Sequence, residues 1–411
     1  MNTKTKNINS AFKIKELRLF VLARFAVTLA VQMLAVTVGW QIYDLTNDPL
    51  SLGLIGLAEV IPSIGISLFA GHLVDKYRRK TIVVFAYTLL LFCYLSLFLI
   101  SYNLKTLSFS TSLILIYSVI FLSGIARGFI FPSTFALLSE IVPREKLSNA
   151  ISWSTSFWQM GAVIGPLLAG FSYGYLGPSK TYINITAFCL IAIILILQIK
   201  IKKLSESTSQ ETLFERLTSG VKFVFREKIL MTVMSLDMFA VLFGGVVAIL
   251  PVYAKDILNT GPDGLGWLRA SPSFGAIIIA LILTQKSPVK FAGRNLLISV
   301  AGFGISILVF AVSRNFLLSM LALALSGMFD SISVIIRQTI FQVMTPENMK
   351  GRVSAVNSIF IGSSNEIGAF ESGAAAKLLG TVPSVIFGGT MTLLIVIITY
   401  FISPKLKKLS L

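Results

Sequence analysis

The chain is 411 residues long, 55% hydrophobic and only 13% charged, with a mean hydropathy of +0.84. That composition excludes the two or three soluble domains the length could hold, because apolar runs of about twenty residues, the length a membrane-crossing helix needs, recur throughout. The net charge of +17 lies in short segments between the runs, which fits a bilayer surface and not nucleic acid.

The first sixteen residues are hydrophilic and basic, and the run after them is full length with no small-residue cleavage site, so no cleavable signal is expected. Twelve spans follow, at 17–43, 51–74, 81–101, 111–139, 149–176, 181–200, 229–254, 264–284, 295–313, 316–344, 353–377 and 382–403. In the first, Arg24, Thr28 and Gln32 are four residues apart and form one polar stripe. Asp44 to Pro49 reads as a tight polar turn. Glu59, Ser63 and Ser67 repeat the four-residue stripe in the second span. The segment Gly71-His72-Leu73-Val74-Asp75-Lys76-Tyr77-Arg78-Arg79-Lys80 then packs cations and one acid into a short loop. Its glycine allows a helix end or a close approach, and Asp75 calls for a partner such as a helix N-terminus.

The fourth span carries Arg127. The fifth carries Gly161, Gly165, Pro166 and Gly170, whose small residues permit close packing while the proline bends the helix. Residues 204–228 form the one long connection: polar Ser205 to Gln210, then Leu213, Leu217, Val221 and Val224 near helical spacing with Arg216, Lys222 and Arg226 nearby. This predicts an amphipathic helix lying on the membrane surface. The expected organisation is a tail at 1–16, six spans within 17–203, the linker at 204–228, six spans within 229–403, and a tail at 404–411. The halves repeat weakly: Ser326-Gly327 and Pro346 each follow Ser123-Gly124 and Pro143 by 203 residues, as in parallel-repeat transporters. Lys and Arg crowd the tails and the even-numbered connections, whereas the odd-numbered ones hold only Lys105, Lys180, Lys255, Arg314 and Lys377. Both termini are therefore expected in the cytoplasm.

Charged groups within spans are costly and face a cavity or one another. Here they are Arg24, Glu59, Arg127, Asp237, Arg269, Asp330, Arg337, Glu366 and Glu371. Asp330, Ser333 and Arg337 share a helix face. Two readings apply: a polar cavity with a proton-titrating carboxylate, or fixed ion pairs between helices. Arg269 and Glu371 fit the second; Asp237, Asp330, Arg337 and Glu366 fit the first; Arg24 and Glu59 fit either. One guanidinium cannot balance three buried carboxylates, so at least one is expected to take up a proton. The expectation is Asp237 or Glu366, with Asp330 paired to Arg337.

Gly71, Leu73, Asp75, Lys76, Arg79 and Lys80 resemble the signature segment of the major facilitator superfamily, with Arg78 where most members carry glycine. Gly161 to Gly170 is similar to the glycine-proline motif of its exporters. Asp237, Leu250-Pro251, Asp330, Ser333, Arg337, Thr345-Pro346, Gly351-Arg352-Val353, Ser364-Asn365-Glu366 and Glu371-Ser372-Gly373 resemble its bacterial drug- and siderophore-exporting branch, the enterobactin-exporter and macrolide-efflux group. The resemblance implies an all-α membrane protein of twelve helices in two pseudo-symmetric halves. It implies a conformational role for Gly71, Asp75, Lys76, Arg79 and Lys80, and a proton-coupling role for Arg127, which resembles the span-4 arginine of related exporters.

The single histidine excludes a His-based metal cluster, and Cys93 and Cys189 lie inside apolar runs as small fillers do. No cofactor is expected. No Gly-x-x-x-x-Gly-Lys-Ser/Thr loop is present, so ATP hydrolysis is not expected, and the chain reads as a transporter and not an enzyme. The reading is a monomeric, proton-driven exporter of an amphipathic small molecule by alternating access, in a cell membrane (the inner one in a Gram-negative source). The alternatives are uptake of a nutrient or lipid-like metabolite, and a non-transporting receptor or scaffold.

Overall fold

A computed structural model describes residues 11–201, 213–283, 288–347 and 349–410. Long helices dominate: α1 (Lys15–Thr46), α2 (Pro49–Lys76), α3 (Arg79–Tyr102), α4 (Phe109–Ile141) and α5 (Leu147–Leu197), then α6 (Leu213–Arg226) and α7 (Lys228–Gly244). After a one-turn α8 (Leu250–Val252) come α9 (Pro262–Leu283), α10 (Ala292–Val312), α11 (Phe316–Met344), α12 (Lys350–Leu379), α13 (Thr381–Ile402) and one-turn α14 (Pro404–Lys407). Among the described residues, ten helices are long and apolar enough to cross a membrane. One of these is α5, 51 residues long, which breaks at Gly177. The φ of 81° there is left-handed, a conformation glycine adopts freely, and Pro178 restarts the helix. The expected turn between the fifth and sixth spans lies at this break. The 30-residue α12 is not among the ten; Glu366, Glu371 and its serines make it too polar. Large side chains such as Phe92, Leu281, Leu321 and Ile397 stand more than half exposed, as lipid-facing residues must.

Residues cluster into two compact units: Met1–Val38 with Ile61–Gln210, and Gly39–Val60 with Glu211–Leu411. In the first, α1 and α5 run parallel in close contact. A Cβ on Gly161 would lie 2.8 Å from Thr28 Cγ2, and one on Gly165 would lie 2.6 Å from Gln32 Cβ. Pro166 and Gly170 are buried in the same helix. Phe12, just ahead of α1, packs at a tilt against Trp153 with ring centroids 4.4 Å apart, and the Ala11 N–H donates to Asn149 Oδ1 at 3.3 Å.

In the second unit, α9 and α11 meet backbone to backbone. A Cβ on Gly275 would collide with the Ala324 carbonyl, and one on Gly327 with the Pro272 carbonyl. The weak repeat is visible in side-chain bonding: Ser123 donates to the Ile120 carbonyl at 2.7 Å, and Ser326 to the Leu323 carbonyl at 2.7 Å.

Two expectations change here. The segment from Gly71 was read as a loop, yet α2 continues to Lys76 and α3 starts at Arg79, leaving a two-residue connection. The side chains of Gly71, Asp75 and Lys76 lie outside the described residues, as does the polar linker Ser205 to Gln210. Second, α6 was expected to lie on the membrane surface. Instead Val224 is fully buried with Met234, Val353 and Val356, and Gly220 sits against the Arg352 carbonyl. The apolar face thus docks on α12 and α7, while Val221 and Phe225 remain exposed. The chain's last residues also fold back: Leu406 is fully buried, and the Gly293 N–H donates to the Leu409 carbonyl at 3.2 Å.

These contacts predict unequal glycine sensitivities. Gly275→Ala should lower the thermal unfolding midpoint of the purified protein, because the obstacle is a helix carbonyl that cannot swing away; overpacking of this kind costs about 1–3 kcal/mol. Gly174→Ala, with nothing within 4 Å, should leave the midpoint unchanged. Equal midpoints for the two variants would contradict the backbone contact.

Candidate functional site

The charges buried in the second unit converge on Arg337 of α11. Its Nη1 makes a tight ion pair with Asp237 Oδ2, its Nη2 lies 4.0 Å from Asp330 Oδ1, and its Nε donates to the Ser333 carbonyl at 3.4 Å. Arg337 and Asp237 are 5% and 7% exposed, whereas the Asp330 side chain is 49% exposed. The expected partner of Arg337 was Asp330, one helix face away. The closer partner is Asp237, delivered by α7, because a neighbouring helix can bring a carboxylate end-on to a guanidinium that points away from its own axis. Removing one member of such a buried pair costs about 3–5 kcal/mol, since the other charge is stranded.

Past Asp237, α7 breaks. Gly245 is extended, a 3-10 turn spans Val247–Ile249, and a π turn spans Tyr253–Ile257. The glycine pair Gly244-Gly245 and Pro251 are the sequence features that mark the break. Inside a bilayer an open carbonyl needs a protein donor; Ser372 of α12 supplies it, donating to the Gly245 carbonyl at 2.7 Å. Single π turns concentrate at functional sites, and this one aims Lys255 and Asp256 at the α1–α2 turn.

That turn is built tightly. Asn47 adopts φ 47°, Asp48 Oδ1 accepts from the Leu50 N–H at 3.1 Å, and Pro49 opens α2. A short acidic residue before a first-turn proline is a strong helix start. The turn is then fastened on three sides. The Tyr43 hydroxyl donates to Asp256 Oδ2, Lys255 Nζ contacts Asp44 Oδ1 at 2.7 Å, and Lys377 Nζ contacts Asp48 Oδ2 at 2.7 Å. Below it α2 lies directly on α12: a Cβ on Gly373 would be 2.8 Å from Gly53 Cα, and one on Gly56 would be 3.4 Å from Glu366 Oε2. From the sequence, Lys255 and Lys377 figured only as stray cations of odd-numbered connections.

The remaining predicted residues are dispersed. The Arg24 guanidinium donates to Ser154 Oγ of α5 at 2.6 Å, so the polar stripe of α1 faces α5. Glu59 of α2 and Arg127 of α4 are each half-buried, and Gly128 beside Arg127 packs on the Ser63 carbonyl. Glu366 lies along α12 against α2. Arg79 meets Glu140 with Nε to Oε1 at 3.3 Å and donates to the Ala136 carbonyl at 3.1 Å. Lys80 Nζ donates to the Leu197 and Ile199 carbonyls, each at 2.8 Å, capping the end of α5 where the helix dipole favours a cation. Glu140 escaped sequence reading; its position at the end of the fourth apolar run was its only signal. Among the described residues no group of His, Cys, Asp and Glu could hold a metal ion.

Known proteins resemble the chain along most of its length. The enterobactin exporter EntS of Salmonella typhi is 24% identical over 392 residues, covering 95% of this chain and 93% of that protein. The protein of the same name from Escherichia coli O1:K1 is likewise 24% identical over 392 residues, covering 95% and 92%. Among solved structures, a bacterial homologue of the iron transporter ferroportin in an inward-facing state aligns with a TM-score of 0.72 at 16% identity, covering 97% of this chain and all of that one. A POT family transporter in complex with 5-aminolevulinic acid aligns with a TM-score of 0.73 at 13% identity, covering 95% and 96%. At these identities the structures speak for the fold alone. The sequence profile of the Major Facilitator Superfamily matches residues 20–369, and with that span matched, the chain belongs to this superfamily of membrane transporters.

Proposed function

We propose that this chain is a proton-coupled exporter of an amphipathic small molecule, working by alternating access. The observation that carries the reading is the triad of Arg337, Asp237 and Asp330. It pairs one guanidinium with a buried carboxylate held in tight contact and a second that is looser and half exposed. A carboxylate held more loosely than its neighbour, yet within range of the same guanidinium, can take up and give back a proton while Asp237 keeps the arginine neutralised. Asp330 is accordingly the proton-carrying group in this proposal, in place of Asp237 or Glu366. Export and an amphipathic, siderophore-like cargo are supported by the relatives named as enterobactin exporters.

Alternating access is supported by the α1–α2 turn. In the proposed twelve-span arrangement of two six-span halves, residues 39–60 belong to the first half. They nonetheless cluster with the second unit, held by Asp44–Lys255, Asp48–Lys377 and Tyr43–Asp256. A segment of one half fastened by side chains of the other is what closure at one end requires. The reverse state needs those contacts released, and a few kcal/mol separate such states.

In proteoliposomes, Asp330→Asn should abolish accumulation driven by a pH gradient while cargo exchange across the membrane persists, because exchange moves no net proton. Asp237→Asn should behave differently, lowering the unfolding midpoint and the yield by stranding Arg337. Full pH-driven accumulation in Asp330→Asn removes that residue from the coupling role. Membrane orientation has its own test. Reporter fusions after residues 48, 204 and 408 should read outside, inside and inside, and an outside signal at residue 204 contradicts two six-span halves.

A further inference from the structure

One face of α7 is used by neither the triad nor the α1–α2 contacts. Thr232, Ser235, Phe239 and Phe243 lie at three- and four-residue spacing, on the side of the helix away from Asp237. With Leu394 and Ile398 of α13 they wall an open groove of about 440 Å³. The groove is mainly apolar, and its walls are exposed: Phe239 by 39%, Leu394 by 44% and Ile398 by 45%. It runs from Phe243 to Met231, twelve residues of helix, or about 18 Å at 1.5 Å per residue. Half of a hydrocarbon core about 30 Å thick is about 15 Å. The groove is therefore as long as one leaflet is deep.

Its two ends differ in charge. At the Met231 end the lining reaches Ser403, and the chain turns there into α14. Leu406 is buried in one core with Leu230, which fixes this turn beside the start of α7. Lys405, just before Leu406, and Lys408, two residues after it, are exposed, as is Lys228 at the head of α7. Lys407 is engaged, lying 3.9 Å over the Tyr400 ring. Lys228, three residues before Met231, and Lys405 and Lys408, two and five residues after Ser403, thus extend from this end of the lining, with the half-buried carboxylate Glu227 beside Lys228. At the Phe243 end the lining is Met391 and Phe243 alone.

We propose that this groove binds one anionic phospholipid, with an acyl chain along α7 and α13 and the phosphate among Lys228, Lys405 and Lys408. The apolar length selects a chain in the bilayer and not a soluble molecule. The cations at one mouth select an anionic headgroup over a zwitterionic one, through the attraction that basic segments at a membrane surface exert on acidic lipid. The site is lateral to the triad and independent of which cargo is moved.

The test titrates the full-length protein in detergent with dioleoylphosphatidylglycerol or dioleoylphosphatidylcholine, identical in chains, and counts bound lipid by native mass spectrometry. The wild type should take up one phosphatidylglycerol at least tenfold more tightly than phosphatidylcholine. The triple variant Lys228→Glu, Lys405→Glu, Lys408→Glu should lose that preference. Ser235→Phe, which fills the groove, should weaken both lipids at least tenfold; Thr399→Phe on the opposite wall repeats the test should the first variant fail to purify. Equal affinity for the two lipids, wild-type binding by the filled variants, or a dimer of this chain that excludes lipid would each overturn the site.

Discussion

Hydrocarbon offers no water to a stray charge or an open carbonyl, and the placement of polar groups in this chain follows from that. Arg337 is answered by Asp237, Asp330 and its own helix carbonyl at Ser333. The open Gly245 carbonyl, left where α7 breaks, is answered by Ser372. Serines and threonines along the spans, Ser123 and Ser326 among them, return their hydroxyls to the preceding turn. Within the triad Asp330 is the more loosely held and more exposed carboxylate.

The discontinuity of α7 ties two features together. Its regular part carries Asp237 into the contact with Arg337, and the π turn beyond the break carries Lys255 and Asp256 to the α1–α2 turn. One element therefore touches both the charged triad and the fastening of residues 39–60. A shift of Arg337 toward Asp330 would loosen Asp237, and α7 is then free to change its angle at Gly245. In the proposed coupling, that is a physical route by which proton release from Asp330, which restores its charge and its pull on Arg337, biases the fastening at Asp44, Asp48 and Tyr43.

Much of this was legible in the sequence, because hydrophobic length and turn chemistry are local. The Gly177-Pro178 break, the Asp44–Pro49 turn and the shared helix face of Asp330, Ser333 and Arg337 could each be read from neighbouring residues. What escaped depends on partners distant in the chain. An amphipathic helix has the same spacing whether its apolar side meets lipid or protein, so nothing local showed that Val224 and Gly220 of α6 dock on α12. The stripe of Arg24, Thr28 and Gln32 was visible, but not that Ser154, Gly161 and Gly165 cover it. Same-face spacing suggested Asp330 for Arg337; it could not report Asp237 on another helix. Lys255 and Lys377 looked like stray loop cations because the acids they meet lie more than two hundred residues away.

The central claim is that transport requires the α1–α2 turn to part from α12. It is tested most directly by bridging Asp48→Cys and Lys377→Cys with a short bifunctional thiol reagent, after Cys93 and Cys189 are replaced by alanine, and measuring transport in proteoliposomes before and after the bridge is cleaved by reductant. The account predicts that bridging arrests transport and that cleavage restores it. Undiminished transport by fully bridged protein would contradict it.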